Sequence, residues 1–439
     1  MGRLLSRVAA HAYAAAFTRS TAELAEFPAR PERERKALLS RRLLEQIRYF
    51  GRRADALPEW REAARISDPD ELWRIWPELP VVSKEMLTGR FAATEIRDRF
   101  GLRGRVGATG GSTGEPTPFF HDAATVRANR SLDLHSRRRM GWTPGMPTVA
   151  VWGSDRDIRP AGSPLRQWVR RARGDLFVDG YHLTPETARA ARELILRHAP
   201  VAMFGFSSML DYVARELVTA GLRLPRGAVA VAWSGGEMLL DAHVSAFQEA
   251  FGTPILNRYG GRELSTMACQ YAPGAPLTVH RPWLMVEVLD EAGRPAPAGQ
   301  VGRLVWTSSL CRGTPFLRYD IGDLGSYSAE GVDAAGIGAL TALHGRAAGV
   351  LTINGKAING LFWNHLFKEF VEVRRFQVVL TRAGSLRINL TGTPLSTERD
   401  AELRAILARL LGPVEIEIVN RDSIPLTAQG KLLQVLQER

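Results

Sequence analysis

Three short apolar runs, each lying between stretches rich in helix-forming residues, constrain the fold of this chain more than any other feature. They occupy residues 148–152, 202–206 and 229–233. Buried runs of this length that alternate with helices are typical of a parallel sheet with helices on its faces. The length of 439 residues predicts about two or three domains. We therefore predict an α/β protein whose large N-terminal part contains this sheet.

The C-terminal residues follow a different pattern and predict a small α+β domain. The order of its elements, β-α-β-β-α-β, is that of a compact split module that ends in a loop carrying Lys431. The segments are a hairpin at 351–358, a helix near 362–371, strands at 376–381 and 386–390, a helix at 397–411 and a strand at 414–419. Before this domain, residues 284–310 predict antiparallel strands around a Gly/Pro turn.

The composition is that of an ordinary soluble protein with an excess of positive charge. Lysine and arginine number 58 against 46 aspartates and glutamates, which gives a formal net charge of +12. This excess favours anionic partners such as nucleotides, phosphates or an acidic protein. Nucleic acid would also fit the charge, but the chain has no zinc-finger, helix-turn-helix or RNP string. We therefore expect no nucleic-acid partner.

The first residues and the cysteines predict a cytoplasmic protein. Residues 8–17 are rich in alanine, are interrupted by His11, and fall far short of the roughly 20 apolar residues of a membrane span. We interpret them as an amphipathic helix lying on the protein; a secretion signal or a membrane anchor is the alternative. The two cysteines, Cys269 and Cys311, cannot form a disulfide framework and suit a reducing compartment.

A string rich in glycine and hydroxyl groups, TGGSTGEP at residues 109–116, is the strongest functional signal. Glycines let backbone N–H groups turn inward and hydroxyls add donors, so such a loop can wrap phosphate oxygens. The string lacks the lysine of the common phosphate loop, and the chain contains no G-x-G-x-x-G string. A flexible surface turn is the alternative interpretation. The candidate phosphate-binding residues are Thr109, Gly110, Gly111, Ser112, Thr113 and Gly114.

Six short strings in a fixed order give the chain a family resemblance. TGGSTGEP is followed by SGGE at 234–237, YGGRE at 259–263, RYDIGD at 318–323, GR at 345–346 and TAQGK at 427–431. With these strings, over about residues 75–435, the chain resembles the adenylate-forming enzymes. LPVVSK at 79–84 and Thr117 resemble the phenylacetate–CoA ligase-like branch, which includes capsular-polysaccharide-type relatives.

The resemblance implies an ATP-dependent, AMP-forming ligase. In such enzymes a carboxylic acid attacks the α-phosphate of ATP, and the acyl group then passes from the adenylate to an acceptor. The acceptor implied first is CoA as a co-substrate; a carrier-protein thiol or an amine is the alternative, and a nucleotide-binding protein without catalysis is the rival class. The implied architecture is a large adenylation domain, residues 1–345, and a small mobile lid, residues 346–439, in a monomer or homodimer.

The resemblance also gives the strings that meet the phosphates their roles. The glycine loop would hold the β- and γ-phosphates, and Glu263 would bind the Mg²⁺ that offsets their charge. A solvated surface charge is the alternative for Glu263. Arg346 would approach the ribose and phosphates, and Lys431 would bridge the α-phosphate and the carboxylate. Lys431, Glu263 and Arg346 are therefore the catalytic candidates.

The nucleoside would lie between SGGE and YGGRE. Asp323 would accept both ribose hydroxyls, a task that suits a carboxylate. Tyr259 would cover one face of adenine and a bare glycine backbone the other, although a core tyrosine would look the same in sequence. The nucleotide-binding candidates are Gly235, Gly236, Glu237, Tyr259, Gly260 and Asp323.

The acyl group would lie near Phe204, Phe206, Ser207 and Gly261, which indicate an aryl or other apolar acid. An ordinary buried strand is the alternative for this segment. The hinge departs from the family pattern, because acids usually follow GR and this chain has Ala-Ala-Gly at 347–349. The glycine can absorb a large backbone change, so we still expect a hinge there at a shifted position.

Overall fold

The computed structural model of the chain describes most of its length. The described residues are 21–109, 117–152, 174–180, 183–346, 351–354, 356–358, 369–425 and 432–438, with 11, 12, 15, 17, 363, 366 and 367. Within these ranges, no helix combines the length and the apolarity needed to cross a membrane.

Helices and strands are numbered here in chain order. Up to residue 346 the strands are β1 Gly104–Ala108, β2 Pro118–Asp122, β3 Thr148–Trp152, β4 Asp175–Asp179, β5 Val201–Gly205, β6 Val229–Gly235, β7 Ile255–Gly261, β8 Ser265–Cys269, β9 Leu277–Val279, β10 Leu284–Leu289, β11 Gly302–Ser308, β12 Tyr319–Ser326, β13 Val332–Asp333, β14 Gly336–Ile337, β15 Ala339–Leu340 and β16 Ala342–Arg346. The helices are α1 Glu32–Gly51, α2 Pro58–Ala63, α3 Pro69–Ile75, α4 Lys84–Thr88, α5 Ala93–Phe100, α6 Ala123–Arg139, α7 Pro185–His198, α8 Ser207–Thr219 and α9 Asp241–Phe251.

A large twisted sheet forms the centre of this part, with the strand order β15-β9-β8-β7-β6-β5-β3-β4. Strands β3 to β7 run parallel, and β8, β9 and β15 extend the sheet antiparallel. The three apolar runs of the sequence are β3, β5 and β6, which are neighbours in the parallel part. The prediction of a parallel α/β sheet is therefore confirmed.

Helices α7, α8 and α9 follow the parallel strands and bury their apolar sides against the sheet. The core between them includes Ile195, Val213 and Phe247, which have no measurable exposure. Local signals set the helix ends: the Thr184 side chain caps α7, and Gly252, at φ +65°, ends α9 in a conformation that favours glycine.

A second sheet, β10-β11-β12-β16, is antiparallel and packs with the N-terminal helices around a separate core. Strands β10 and β11 lie within residues 284–310, so the antiparallel prediction for that segment is also confirmed. Trp60 and Trp306 are fully buried in this core.

Arg318 joins the N-terminal helices to the second sheet. Its side chain is 2% exposed, forms an ion pair with Glu287 at 3.0 Å, and donates to the carbonyl oxygen of Pro77 at 2.7 Å. Nearby, the main chain of Val82 bonds to Arg318 and Asp320 at 2.9 Å each. The LPVVSK and RYDIGD strings are therefore packed side by side, and Arg318 has a structural role.

The C-terminal residues form a separate domain with a core of its own, which confirms the predicted fold class. Its sheet has the order β21-β20-β19-β22, in which β19 and β20 are antiparallel. The elements are β17 Leu351–Ile353, β18 Lys356–Ile358, β19 Val373–Leu380, β20 Leu386–Gly392, α10 Thr397–Leu411, β21 Ile416–Asn420 and β22 Val435–Gln437. Strand β22 was not predicted, because its parallel pairing with β19 is a long-range contact that local pattern does not show. The domain boundary at 345/346 stays a prediction.

Candidate active site

Thr109, which begins the glycine string, follows β1, and Thr117, just after the string, precedes β2. The two strands pair antiparallel up to Ala108 opposite Pro118. At the open end, the Thr109 N–H donates to the Thr117 carbonyl at 2.9 Å, and the Thr117 N–H donates to Thr109 Oγ1 at 3.0 Å. Of the predicted phosphate-binding residues, only Thr109 lies in the described part of the chain. Gly110, Gly111, Ser112, Thr113 and Gly114 lie outside it, and their role stays a prediction.

The SGGE string forms the turn at the end of β6. Ser234 is fully buried in the sheet, and a Cβ atom on Gly235 would lie 3.2 Å from the Arg258 carbonyl oxygen. Gly236 has φ +82°, a left-handed conformation that side chains rarely adopt. The turn therefore favours glycine at 236, a side chain at 235 would be tightly packed, and the two glycines leave a bare backbone at this edge of the sheet.

Tyr259 and Asp323 come from different sheets and meet at this edge. Tyr259 is near the end of β7, and its hydroxyl donates to Asp323 Oδ2 at 2.7 Å. The ring of Tyr259 packs against Trp306, with ring centroids 5.9 Å apart. Both side chains are half-buried. The structure thus brings together two residues that lie 64 positions apart in sequence.

Arg346 is the backbone neighbour of Asp323. The two residues are directly opposite each other where β12 and β16 pair. Gly345, just before it, has φ +82°. This pairing places the backbone of the GR string next to the backbone of Asp323, the predicted ribose-binding residue.

Glu263 lies in the tight turn between β7 and β8. It is 4% exposed, so the alternative of a solvated surface charge is wrong. Its carbonyl oxygen accepts a hydrogen bond at 2.7 Å from Nε2 of His121, a buried neighbour on β2. Burial lowers the pKa of His121 to about 4, so the imidazole is neutral at physiological pH and donates from Nε2.

Glycines at 260 and 261 let the chain turn closely before Glu263. A Cβ atom on Gly260 would lie 2.3 Å from the Ser265 carbonyl oxygen, and one on Gly261 would lie 2.9 Å from Glu263 Oε2. A side chain at either position would displace the turn or the carboxylate. The YGGRE string therefore specifies the placement of Glu263 beside β2, the strand that follows the glycine loop.

A cleft of about 1070 Å³ lies between this edge of the central sheet and the C-terminal domain. One side comes from the ends of β6 and β7 and from α8, and the other from β19, β20 and residues 421–424 and 432–435. Ligands of α/β proteins bind at the carboxyl ends of parallel strands, where this cleft lies. The predicted residues that line it are Gly236, Glu237, Tyr259, Gly260 and Asp323.

The predicted acid-binding residues are not among the described residues that line the cleft. Phe206 and Ser207 are buried, and Phe204 stacks between Trp152 and Trp233 with centroid distances of 5.0 and 6.1 Å. Gly261 is likewise absent from the cleft lining among the described residues. The sequence alternative, a buried strand, fits Phe204 on β5, whereas the buried Phe206 and Ser207 are the residue before α8 and the first residue of that helix. A role for the four residues in acid binding stays a prediction.

Charged residues that the sequence did not indicate face the cleft. On α8, Asp211 pairs with Arg215 at 2.9 Å. From the C-terminal domain, Arg374 pairs with Glu216 at 3.2 Å, and the guanidinium of Arg375 lies 5.8 Å from the ring centroid of Tyr212. Burial lowers the pKa of Arg375, while the carboxylates of Glu237 and Asp211 oppose that shift. The Asp211–Arg215 ion pair could have been predicted from its i,i+4 spacing on a helix. The contacts between the two domains have no such signal in the local sequence.

Lys431 and residues 347–349 lie outside the described residues. Leu432, the next residue after the lysine, lines the cleft, and its N–H donates to Glu237 Oε1 at 3.4 Å. Glu237 Oε2 accepts from the Ser208 N–H at 3.0 Å. The SGGE carboxylate is thus hydrogen-bonded to backbone amides on both sides of the cleft.

Comparison with known proteins bears on this site. The family model of the AMP-binding enzymes matches residues 176–311, a segment that contains SGGE and YGGRE but neither the glycine loop nor Lys431. No curated protein matches the sequence.

Several solved structures have a similar fold. 2-Hydroxyisobutyryl-CoA ligase in the postadenylation state, in complex with R3-HIB-AMP, is 18% identical with a TM-score of 0.67, over 93% of this chain and 90% of that chain. ATP-bound MatB from Rhodopseudomonas palustris is 17% identical with a TM-score of 0.54, over 75% and 66%. The amide bond synthetase McbA from Marinactinospora thermotolerans is 19% identical with a TM-score of 0.52, over 72% and 65%.

At these identities the solved structures show a shared fold. The family match covers the segment in which Glu237, Tyr259 and Glu263 lie. Together, the fold and the family match support the prediction of an AMP-binding enzyme of the adenylate-forming superfamily.

Proposed function

We propose that this protein is an ATP-dependent, AMP-forming ligase of the phenylacetate–CoA ligase-like branch, which adenylates a carboxylic acid and transfers the acyl group to CoA. The observation that carries the proposal is the Tyr259–Asp323 hydrogen bond beside the glycine turn of β6, at a cleft bordered by the segment that follows Lys431. The volume of the cleft, about 1070 Å³, is at the upper end of the usual range for small-molecule pockets, so it has room for a nucleotide.

Asp323 and Tyr259 would bind the nucleoside. A carboxylate has about four lone-pair sites, so Asp323 can accept from Tyr259 and from ribose hydroxyls at once. The hydrogen bond orients the carboxylate, and adenine would lie between the Tyr259 ring and the Gly235–Gly236 backbone. This arrangement supports the nucleotide roles assigned to these residues.

Glu263 would hold Mg²⁺ together with phosphate oxygens of ATP. Mg²⁺ in nucleotide sites is bound by one or two carboxylates plus phosphates, so a single buried carboxylate beside the β2 strand fits that ion. Bound Mg²⁺ would supply positive charge that offsets the phosphates. His121 holds the backbone of Glu263 in place from the neighbouring strand.

Lys431 and Arg346 would supply cationic groups for adenylation. As the carboxylate approaches the α-phosphate, negative charge accumulates, and an ammonium placed there stabilises the transition state more than the ground state. The position of Leu432 at the cleft supports this role for its neighbour Lys431. The backbone pairing of Arg346 with Asp323 supports its proposed place near the ribose.

CoA is proposed as the acceptor, with a carrier-protein thiol or an amine as the alternative. Two structures of similar fold are a CoA ligase and an amide bond synthetase by name, which supports both. An aryl or other apolar acid, a lid beginning at residue 346, a cytoplasmic location and a monomer or homodimer belong to the same proposal.

Pyrophosphate release tests the proposal. The protein is incubated with ATP, Mg²⁺ and a panel of aryl, fatty and amino acids, with and without CoA, and products are identified by mass spectrometry. We expect AMP, pyrophosphate and an acyl-CoA for a matching acid. Asp323→Asn should lose most of this activity, whereas Asp290→Asn in the β10–β11 turn should not. No pyrophosphate with any acid refutes the ligase; adenylate without thioester, together with an amide when an amine is added, refutes CoA.

A further inference from the structure

Glu237 joins the two walls of the cleft through one carboxylate. Its Oε2 accepts from the N–H of Ser208, in the first turn of α8, at 3.0 Å. Its Oε1 accepts from the N–H of Leu432, in the C-terminal domain, at 3.4 Å. The two amides belong to segments 224 residues apart (432 − 208), and the carboxylate comes from a third segment, the turn after β6.

The contact with α8 has a clear physical reason. The first N–H groups of a helix have no partner within the helix, and its N-terminal end carries partial positive charge. The residue before α8 is Phe206, which provides no side-chain cap. Glu237 supplies the missing acceptor from outside the helix, with a charge of the favourable sign. This half of the contact anchors the carboxylate to the large domain.

The other half of the contact fixes a segment that the C-terminal sheet also holds. The Leu433 carbonyl accepts from Gln377 Nε2 at 3.0 Å, and the buried Asn389 donates to Gln377 Oε1 at 3.1 Å. The Gln434 carbonyl accepts from the Val378 N–H at 2.8 Å. Residues 433 and 434 are therefore bound to their own domain. Leu432 is bound to Glu237 on the opposite wall.

We propose that Glu237 is a positioning residue, which places the catalytic lysine by holding the amide of the residue next to it. The inference rests on the proposed role of Lys431 in adenylation. Consecutive Cα atoms are about 3.8 Å apart, so fixing Leu432 restricts where the preceding residue can be. In this role Glu237 contacts no substrate and acts through the lid segment, which differs from the nucleotide contact that its sequence position predicted.

Two substitutions separate the two halves of the contact. Glu237→Ala removes both acceptors. Glu237→Gln keeps one acceptor oxygen, but its other group is an NH₂, which cannot accept from a second amide. The bond to Ser208 is the shorter one, and its N–H lies at the positive end of α8. Glu237→Gln should therefore keep the bond to Ser208 and lose the bond to Leu432. Gln is the variant to use if the alanine form does not fold.

We expect both variants to lose about 10- to 100-fold in the rate of adenylation at saturating ATP, the scale for displacing a catalytic group by about 1 Å. The KM for ATP should change by less than about 3-fold, because the nucleoside contacts remain. Transfer to the acceptor from a supplied acyl-adenylate should fall much less. A general defect of the fold would lower both steps and raise KM.

The decisive kinetic measurement is a double-mutant cycle with Lys431→Ala. If Glu237 acts by placing the lysine, Glu237→Gln should reduce the already slow Lys431→Ala enzyme by less than about 2-fold. Multiplicative losses in the double mutant would overturn the inference. Glu216→Gln is the matched control, since Glu216 also pairs across the two domains, with Arg374, but does not contact residues 432–434 among its described partners.

Hydrogen exchange of the substrate-free protein tests the contact independently of activity. The amide of Leu432 should exchange faster in Glu237→Gln than in wild type, whereas Glu216→Gln should leave it unchanged. Equal exchange in wild type and Glu237→Gln would overturn the inference even if the ligase activity is found. Faster exchange would support the positioning contact, and absence of pyrophosphate release from wild type would then count against the ligase proposal alone.

Discussion

The two sides of the proposed active site are held by contacts of different strength: a nucleotide side, with Tyr259, Asp323 and Glu263, and a lid side, formed by the C-terminal domain. On the nucleotide side, Tyr259–Asp323 and His121–Glu263 bonds of 2.7 Å connect strands of packed sheets. On the lid side, the described contacts across the cleft include the Arg374–Glu216 pair, in which the arginine side chain is 58% exposed, and the 3.4 Å bond from Leu432. Exposed ion pairs contribute little, about 0 to 1 kcal/mol.

This difference suits the ligase proposed above, which would catalyse two half-reactions. The groups that bind ATP need fixed positions, because misplacement by about 1 Å can cost 10²-fold in rate. A lid that must change orientation between steps needs contacts that break readily, and small polar interfaces between domains allow such motion. The contrast therefore predicts large effects on the nucleotide side and on the lysine itself, and small effects at the exposed pair.

The largest expected effect concerns acid stability of the large domain. Burial lowers the pKa of His121 and of His135 to about 4, and that of His280 to about 3. In the unfolded chain these histidines bind protons below about pH 6.5, whereas in the folded protein they do so only near pH 4 or below. The free energy of unfolding therefore falls as the pH is lowered from about 6.5 towards 4. For His121 alone the loss is on the order of 3 kcal/mol.

Guanidinium unfolding at pH 6.5, 5.5 and 4.5 measures this loss. The lid has a single histidine in its sequence, His365, so we expect brief pepsin digestion at pH 4.5 to cut the large domain before the lid. His121→Gln should show a smaller pH dependence than wild type. An equal dependence would show that His121 does not remain neutral in the folded protein.

Lys431→Ala should slow adenylation by about 10²-fold or more, the scale for losing one electrostatic contact in the transition state. Transfer from a supplied acyl-adenylate should fall far less, since that step no longer needs the lysine. Rapid mixing measures the two half-reactions separately. Lys36→Ala is the control, because Lys36 forms an exposed pair with Asp70 on the N-terminal helices. Equal damage to both steps would contradict the assignment.

Tyr259→Phe should raise the KM for ATP by about 10-fold, the value expected for one hydrogen bond to a charged group. It removes the hydroxyl that orients Asp323 and leaves the ring in place. Tyr327→Phe is the matched control, since that hydroxyl donates to the Ala296 carbonyl at 2.8 Å, away from the cleft lining. If both variants behave alike, the Tyr259–Asp323 bond has no part in nucleotide binding.

Arg374→Ala should have the smallest effect. Breaking the exposed pair with Glu216 should change the ratio of the two half-reaction rates by about 2-fold or less, and 0.5 M salt should reproduce the change in wild type. Steady-state assays at two salt concentrations measure it. A change of 10-fold or more would mean that the lid is held as firmly as the nucleotide site.

The sequence predicted those parts of the molecule that local pattern determines. The strands β3, β5 and β6 follow from apolar runs, and Gly236 and Gly260 follow from a positive φ and a close backbone contact. The placement of Asp323 beside Tyr259 required the family resemblance, since 64 residues separate them.

Contacts between distant segments could not be predicted. Arg375 reaches the cleft from the other domain, and nothing near it in sequence marks that contact. The burial of Phe206 and Ser207 depends on how α8 lies on the sheet, which decides whether the helix presents its apolar or its charged side to the cleft. For Glu237, the predicted nucleotide contact stays a prediction, and its bonds to two backbone amides from distant segments had no local signal.

The buried Arg318 has a consequence for biosynthesis. It donates to the Pro77 carbonyl across 241 residues, so the contact cannot form until both segments have left the ribosome. At about 5 to 20 residues per second, the interval is roughly 12 to 50 s. Until then, Leu72 and Trp76, which are buried in the finished protein, lack part of their packing surface. The N-terminal helices therefore keep apolar surface exposed on the nascent chain until the segment around Arg318 has been made.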